Sequence, residues 1–170
     1  MSKKVAVSAM LVALAMIFSY VEVLIPVNFG VPGIKLGLAN LVVIVGLYML
    51  KPGEVFFISM IRIFLMGCMF GNGASIIYSL AGGVLSFLVM TLLKRSKGFS
   101  LTGISAAGGA AHNIGQILAA VWIMQNVKLF YYLPVLLAAG VITGVLLGRL
   151  SGRIMSAVTH GRINSWLKVS

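Results

Sequence analysis

Aspartate is missing altogether from these 170 residues, and the only acids are Glu22 and Glu54. Without aspartate, and with two glutamates far apart, the chain cannot gather several magnesium ions on carboxylates. The single cysteine, Cys68, excludes an internal disulfide, and no second thiol or histidine stands near it to suggest a metal site. Phosphate-loop, dinucleotide-binding and metal-ligand motifs are lacking as well. A serine-type hydrolase needs a nucleophile, a base and an orienting acid. Here His112 is the one candidate base within an apolar segment, and no acid lies near it in sequence. The sequence therefore predicts no enzyme, no metal and no cofactor.

Charge is scarce too, at 9% of residues, against roughly a quarter in soluble domains. Hydrophobic residues make up 61% of the chain and the mean hydropathy is +1.12, which is the composition of an integral membrane protein. Six apolar segments are separated by short turn-forming stretches: 5–25, 36–50, 53–70, 74–93, 101–124 and 130–155. The expectation is an all-α fold, one transmembrane domain over 1–170 built as a bundle of six transmembrane helices. The first segment begins like a signal peptide, but an apolar run of about twenty residues with no cleavage pattern favours a retained helix. The second is short for a span, so it either tilts little or begins within "VPGIKLGLAN".

The net charge of +11 does not predict nucleic-acid binding, because the basic residues fall between apolar runs rather than on one surface. With the N-terminus cytoplasmic, Lys3, Lys4, Lys51, Lys94, Arg95, Lys97, Arg149, Arg153, Arg162 and Lys168 lie inside. Only Lys35 and Lys128 lie outside. That bias puts both termini in the cytoplasm of a multi-pass protein of the cell membrane, in contact with membrane lipid.

Polar side chains inside hydrocarbon are costly, and by default they mark function. Counting along the predicted helices, Glu22, Asn40, Arg62, Tyr78, Ser79, His112, Asn113 and Gln116 all fall between the midplane and the outer face. This one-sided placement predicts a water-accessible cavity open to the outside and closed toward the cytoplasm. His112 and Gln116 share one helix face with Ser105, Gly108 and Gly109, while Asn113 points about 100° away, toward another helix. Arg62 is always charged and needs an anion. Either it pairs with Glu22 and only fixes two helices, or its fork awaits a carboxylate or phosphate of a substrate. His112 likewise is either a neutral imidazole satisfied within the bundle or a ligand contact. Lys35 and Asn72 stand in outer loops over the predicted cavity mouth, where loops can act as lids. Small residues such as Gly82, Gly83, Ser86, Gly140, Gly144 and Gly148 suit close helix packing. Ser8, Ala9 and Ala13 on the first helix form a small-residue face on which a partner could dock.

Three stretches, "VPGIKLGLAN" (31–40), "GNGASIIYSLAGGVLSF" (71–87) and "GGAAHNIGQ" (108–116), resemble the Gx transporter family, also labelled heptaprenyl diphosphate synthase component I. The resemblance extends over about residues 5–155. All-trans prenyl synthases carry aspartate-rich magnesium motifs, so for this chain the synthase label implies at most an accessory role. The family is similar to the six-helix S components of energy-coupling-factor transporters. That similarity implies a substrate-binding component that takes up a small vitamin-like or anionic metabolite, energised by a separate scaffold subunit and ATPases. It also implies a docking role for Ser8, Ala9 and Ala13, and a flavin or quinone precursor as candidate ligand. The alternative is an accessory membrane subunit of quinone or prenyl-chain synthesis, or of membrane electron transfer.

Overall fold

The computed structural model describes residues 3–24, 35 and 37–160. Arg162, Lys168, the end of the first predicted segment at Ile25 and the "NFGVPG" turn lie outside the described residues. Among those described there is no strand, and the helices are α1 (Lys3–Leu24), α2 (Asn40–Met49), α3 (Pro52–Phe70), α4 (Gly73–Ser96), α5 (Leu101–Met124) and α6 (Leu133–His160). A 3-10 helix, Val127–Tyr132, leads into α6. Four stretches are long and apolar enough to cross a membrane: Val5–Leu24, Pro52–Phe70, Gly73–Ser96 and Val127–Ala157. α5 matches α4 in length but carries His112, Asn113 and Gln116 near its middle, and α2 has only ten residues.

The helix starts follow local chemistry. Pro52, with no N–H to waste, opens α3. Asn72 caps α4 by accepting from the Ser75 N–H at 2.9 Å, and Ser100 caps α5 by accepting from Gly103 at 3.1 Å. Two boundaries differ from the sequence reading. α2 begins at Asn40 rather than at 36, because Gly37 sits at φ +84°, outside the helical region. The tight turn there is closed by Asn40 N–H donating to Gly37 O at 2.9 Å. At the other end of the chain, the 3-10 helix precedes α6, and α6 runs on past Met155 to His160.

Helix ends meet in an alternating, up-and-down order. Tyr20 packs on Phe70 with ring centroids 5.1 Å apart, which joins the C-terminal ends of α1 and α3. Lys94 Nζ donates to Leu47 O, which joins the C-terminal ends of α4 and α2. Gly148 of α6 faces Thr102 at the start of α5. Lys51, Lys94, Arg95, Lys97, Arg149 and Arg153 are thereby gathered toward one end of the bundle, here the basic end, with Lys35 and Lys128 toward the other.

α5 lies between α4 and α6 with backbones almost touching. A Cβ added to Gly109 would stand 2.2 Å from the Gly140 carbonyl oxygen, and one on Gly115 would stand 2.5 Å from that of Ala81. Such contacts are how helices associate in lipid, where no hydrophobic drive separates helix from solvent. The other half is packed by side chains: Leu11 and Ala15 of α1 meet Val42 and Ile58, and Val43, Ile44 and Leu47 meet Val55, Phe87, Met90 and Ile104. α2 is buried from Asn40 to Leu47.

Candidate functional site

The turn that precedes α2 enters the bundle with backbone groups that no helix satisfies, so side chains must do it. The Glu22 carboxylate of α1 accepts from the Gly37 N–H, and the Leu38 N–H also faces it. Gln116 of α5 accepts from the Lys35 N–H through Oε1 at 3.2 Å. Its Nε2 lies 3.0 Å from His112 Nε2. An amide NH₂ can only donate, so His112 Nε2 accepts and the ring proton is assigned to Nδ1. The imidazole is therefore neutral. Nδ1 faces the backbone of Gly82 on α4. Gly37 sits so close to this ring that an added Cβ would stand 3.1 Å from His112 Cδ2.

Arg62 of α3 donates to Ser19 of α1 at 2.9 Å, one helical turn before Glu22. Among the described residues no carboxylate lies within ion-pairing distance of Arg62. Glu22 is still its near electrostatic neighbour, and Lys35 is a neighbour of both. Two cations share one carboxylate here, so one positive charge is in excess.

Lys35 is half-buried, and the rest of the group is buried. Gln116 and Asn113 have no exposed surface, and His112, Asn40, Arg62 and Glu22 are 3%, 4%, 5% and 7% exposed. The crevice beside Arg62, lined by Leu11, Ala15, Ala39, Val42 and Ser59 among others, is too narrow for a water molecule. Among the described residues, this crevice is narrower than the open cavity that the sequence led us to expect. The described part of the turn, Lys35 and 37–39, together with Asn40, occupies the space between α1, α3 and α5. Several buried polar atoms of the bundle are unpartnered, among them Asn40 Nδ2, Ser59 Oγ and Ser79 Oγ. Native interiors leave few such atoms, and each calls for an explanation.

Glu22, Lys35, Asn40, Arg62, His112 and Gln116 are thus brought together. Asn113 turns away to donate to Leu136 O on α6 at 2.5 Å, the sideways bond that its helical angle predicts. Tyr78 is buried in an apolar cluster with Ile117, Ala120, Leu129 and Leu136. Asn72 is exposed, and its side chain caps α4. On α1, Ala9 and Ala13 are exposed and Ser8 is half-buried. The described residues hold no group of three or more His, Cys, Asp or Glu side chains fit for a metal ion.

Sequence reasoning missed Ser19, Ser59 and the Gly37 backbone. A signal was present: Ser19 precedes Glu22 by three residues and Ser59 precedes Arg62 by three, so each shares its partner's helix face.

Comparison with known proteins gives one family: the model described as heptaprenyl diphosphate synthase component I matches residues 11–154. The chain belongs to that family. No curated protein and no solved structure matches it.

Proposed function

We propose that this member of the heptaprenyl diphosphate synthase component I family is the substrate-binding membrane component of an uptake system for a small anionic metabolite. The observation that carries the reading is the charge balance of the enclosed cluster. Lys35 and Arg62 face a single carboxylate, Glu22, among buried amide and imidazole groups. An excess cation in a low-dielectric interior attracts an anion far more strongly than in water. Arginine, with four of its five donors free of Ser19, suits a carboxylate or phosphate. His112, Asn40 and Gln116 would orient the rest of the ligand, with Asn113 and Tyr78 behind them.

In this reading all six helices thread the membrane, α2 completing its crossing with the turn before it. The basic end faces the cytoplasm by the positive-inside rule, which leaves the cluster in the outer half. The chain performs no covalent chemistry. Energy comes from a separate scaffold and ATPase module, and the exposed Ala9 and Ala13, with Ser8, would meet that scaffold on α1. A flavin or quinone precursor bearing an acidic group is a candidate ligand.

The test is mass spectrometry of small molecules extracted from the protein purified in mild detergent, alongside an Arg62→Ala, His112→Ala variant. A defined anionic metabolite present in the first and lost from the second is the expected result. Only lipid in both would overturn the reading.

A further inference from the structure

A second feature lies away from the polar cluster, on the outer surface at the basic end. There the first two turns of α3 and the last turns of α4 diverge to leave a groove with about 340 Å³ of room. Its walls are two helix stripes: Phe56 and Phe57 on α3, and Phe87, Leu88 and Leu92 on α4, ending in Arg95. The floor is fixed by ring contacts, Phe56 on Phe87 at 5.3 Å and Phe56 on Phe57 at 6.3 Å. Phe57, Leu88 and Leu92 are half or more exposed, so the groove opens to the surroundings of the bundle. From Phe87 to Arg95 it extends roughly 12 Å along α4. That is close to the depth of hydrocarbon in one leaflet, about 15 Å.

The polarity changes along its length. The deep part is aromatic and aliphatic apart from Thr91, whose hydroxyl is buried and unpartnered. The shallow part carries Arg95, exposed and with no partner among the described residues, and across from it Pro52 and Gly53; the exposed Lys51 adjoins Pro52 in the chain but does not line the groove. Lys94, by contrast, turns the other way, donating to Leu47 O and lying 4.7 Å from the Tyr48 ring. Glu54, the one acid at this end, accepts from the Lys51 N–H at 3.2 Å and does not line the groove. An apolar trough of leaflet depth that ends in an unpaired cation matches one chemistry: acyl chains joined to an anionic headgroup.

We propose that this α3–α4 groove is a binding site for an anionic phospholipid of the leaflet at the basic end. The acyl chains lie against Phe57, Leu88 and Leu92, and the phosphate is held by the Arg95 fork with Lys51 close by. Guanidinium binds phosphate bidentately, whereas an unmatched bulk lipid gains only the apolar part. Retention of anionic over zwitterionic lipid is the consequence. The site is independent of the polar cluster and does not rest on the uptake reading.

The experiment is native mass spectrometry of the full chain released from nanodiscs of equimolar phosphatidylglycerol and phosphatidylcholine. The wild type should leave with one phosphatidylglycerol per chain in preference to phosphatidylcholine. Removing one near-surface cation should lower that preference roughly five-fold, so Arg95→Gln should show it. Arg153→Gln, a cation at the same end but outside the groove, should not. Phe57→Ala with Leu88→Ala should reduce retention of both lipids, which separates the apolar walls from the headgroup contact. Equal retention of the two lipids by the wild type would overturn the proposal. So would an effect of Arg153→Gln as large as that of Arg95→Gln, or a lipid-free dimer.

Discussion

The α4–α5–α6 half and the half built from α1, α2, α3 and the turn before α2 meet the same demand, close packing in lipid, by different means. In the first, glycines bring backbones into contact: Gly109 against Gly140, Gly115 against Ala81 and Gly82, Gly144 against Ala106. At those three crossings backbone meets backbone, while side chains such as Tyr78, Ile117 and Leu136 pack elsewhere in that half. In the second, the turn before the short α2 is held by side-chain bonds from Glu22 and Gln116, and Arg62 ties α3 to α1 through Ser19. Those bonds can be exchanged for others without moving a backbone through a backbone. The difference teaches where a ligand can act. In the proposed uptake reading the bundle opens where contacts are exchangeable, at the turn before α2.

The contrast can be broken most severely on the glycine side. Gly109→Val places carbon where the Gly140 carbonyl oxygen stands. Overpacking of that kind should cost about 3 kcal/mol, read as loss of a monodisperse peak or a large drop in thermal midpoint in detergent. Near-native stability would mean that the three-helix half is not rigid. Next is Glu22→Ala, which strips the acceptor from the Gly37 N–H and should cost about 2 kcal/mol, the usual size for a hydrogen bond to a charged group. Glu22→Gln keeps an oxygen there and should lose less. Limited proteolysis around residues 35–40 would report the opening directly. Gln116→Leu should cost about 1 kcal/mol, by leaving the Lys35 N–H unbonded, and should also lower ligand content. The smallest effect on the site is expected from Asn72→Ala. It removes the α4 cap at about 1 kcal/mol and leaves bound ligand unchanged; a loss of ligand would restore Asn72 to the binding site.

How much of this was legible in the sequence varies with the kind of residue. α5 runs from 101 to 124 as its apolar pattern predicts, and the common face of His112 and Gln116 follows from helical spacing alone. The sideways aim of Asn113 follows too. Local rules did not reach the turn before α2. "GIKLGLAN" reads as the start of a helix until Gly37 takes a positive φ, and what makes that turn stable is Glu22 and Gln116, from two distant helices. The same contacts fill, among the described residues, part of the space where an open cavity was expected. Depth along a helix is readable from sequence, whereas the filling of the space between helices is tertiary. Ser19 escaped notice because a serine is unremarkable in an apolar run, although it is buried and bonded to Arg62.

The central claim is that an excess of positive charge in the enclosed cluster selects the ligand, and a charge series tests it most directly. Wild type, Lys35→Met and Glu22→Gln would be purified in parallel, and the anionic small molecule retained per chain quantified by mass spectrometry. The account predicts that Lys35→Met, which neutralises the excess, loses most of the bound anion. Glu22→Gln, which adds to the excess while keeping an acceptor for Gly37, should retain at least as much as the wild type. Equal occupancy in all three, or loss in Glu22→Gln with retention in Lys35→Met, would contradict it.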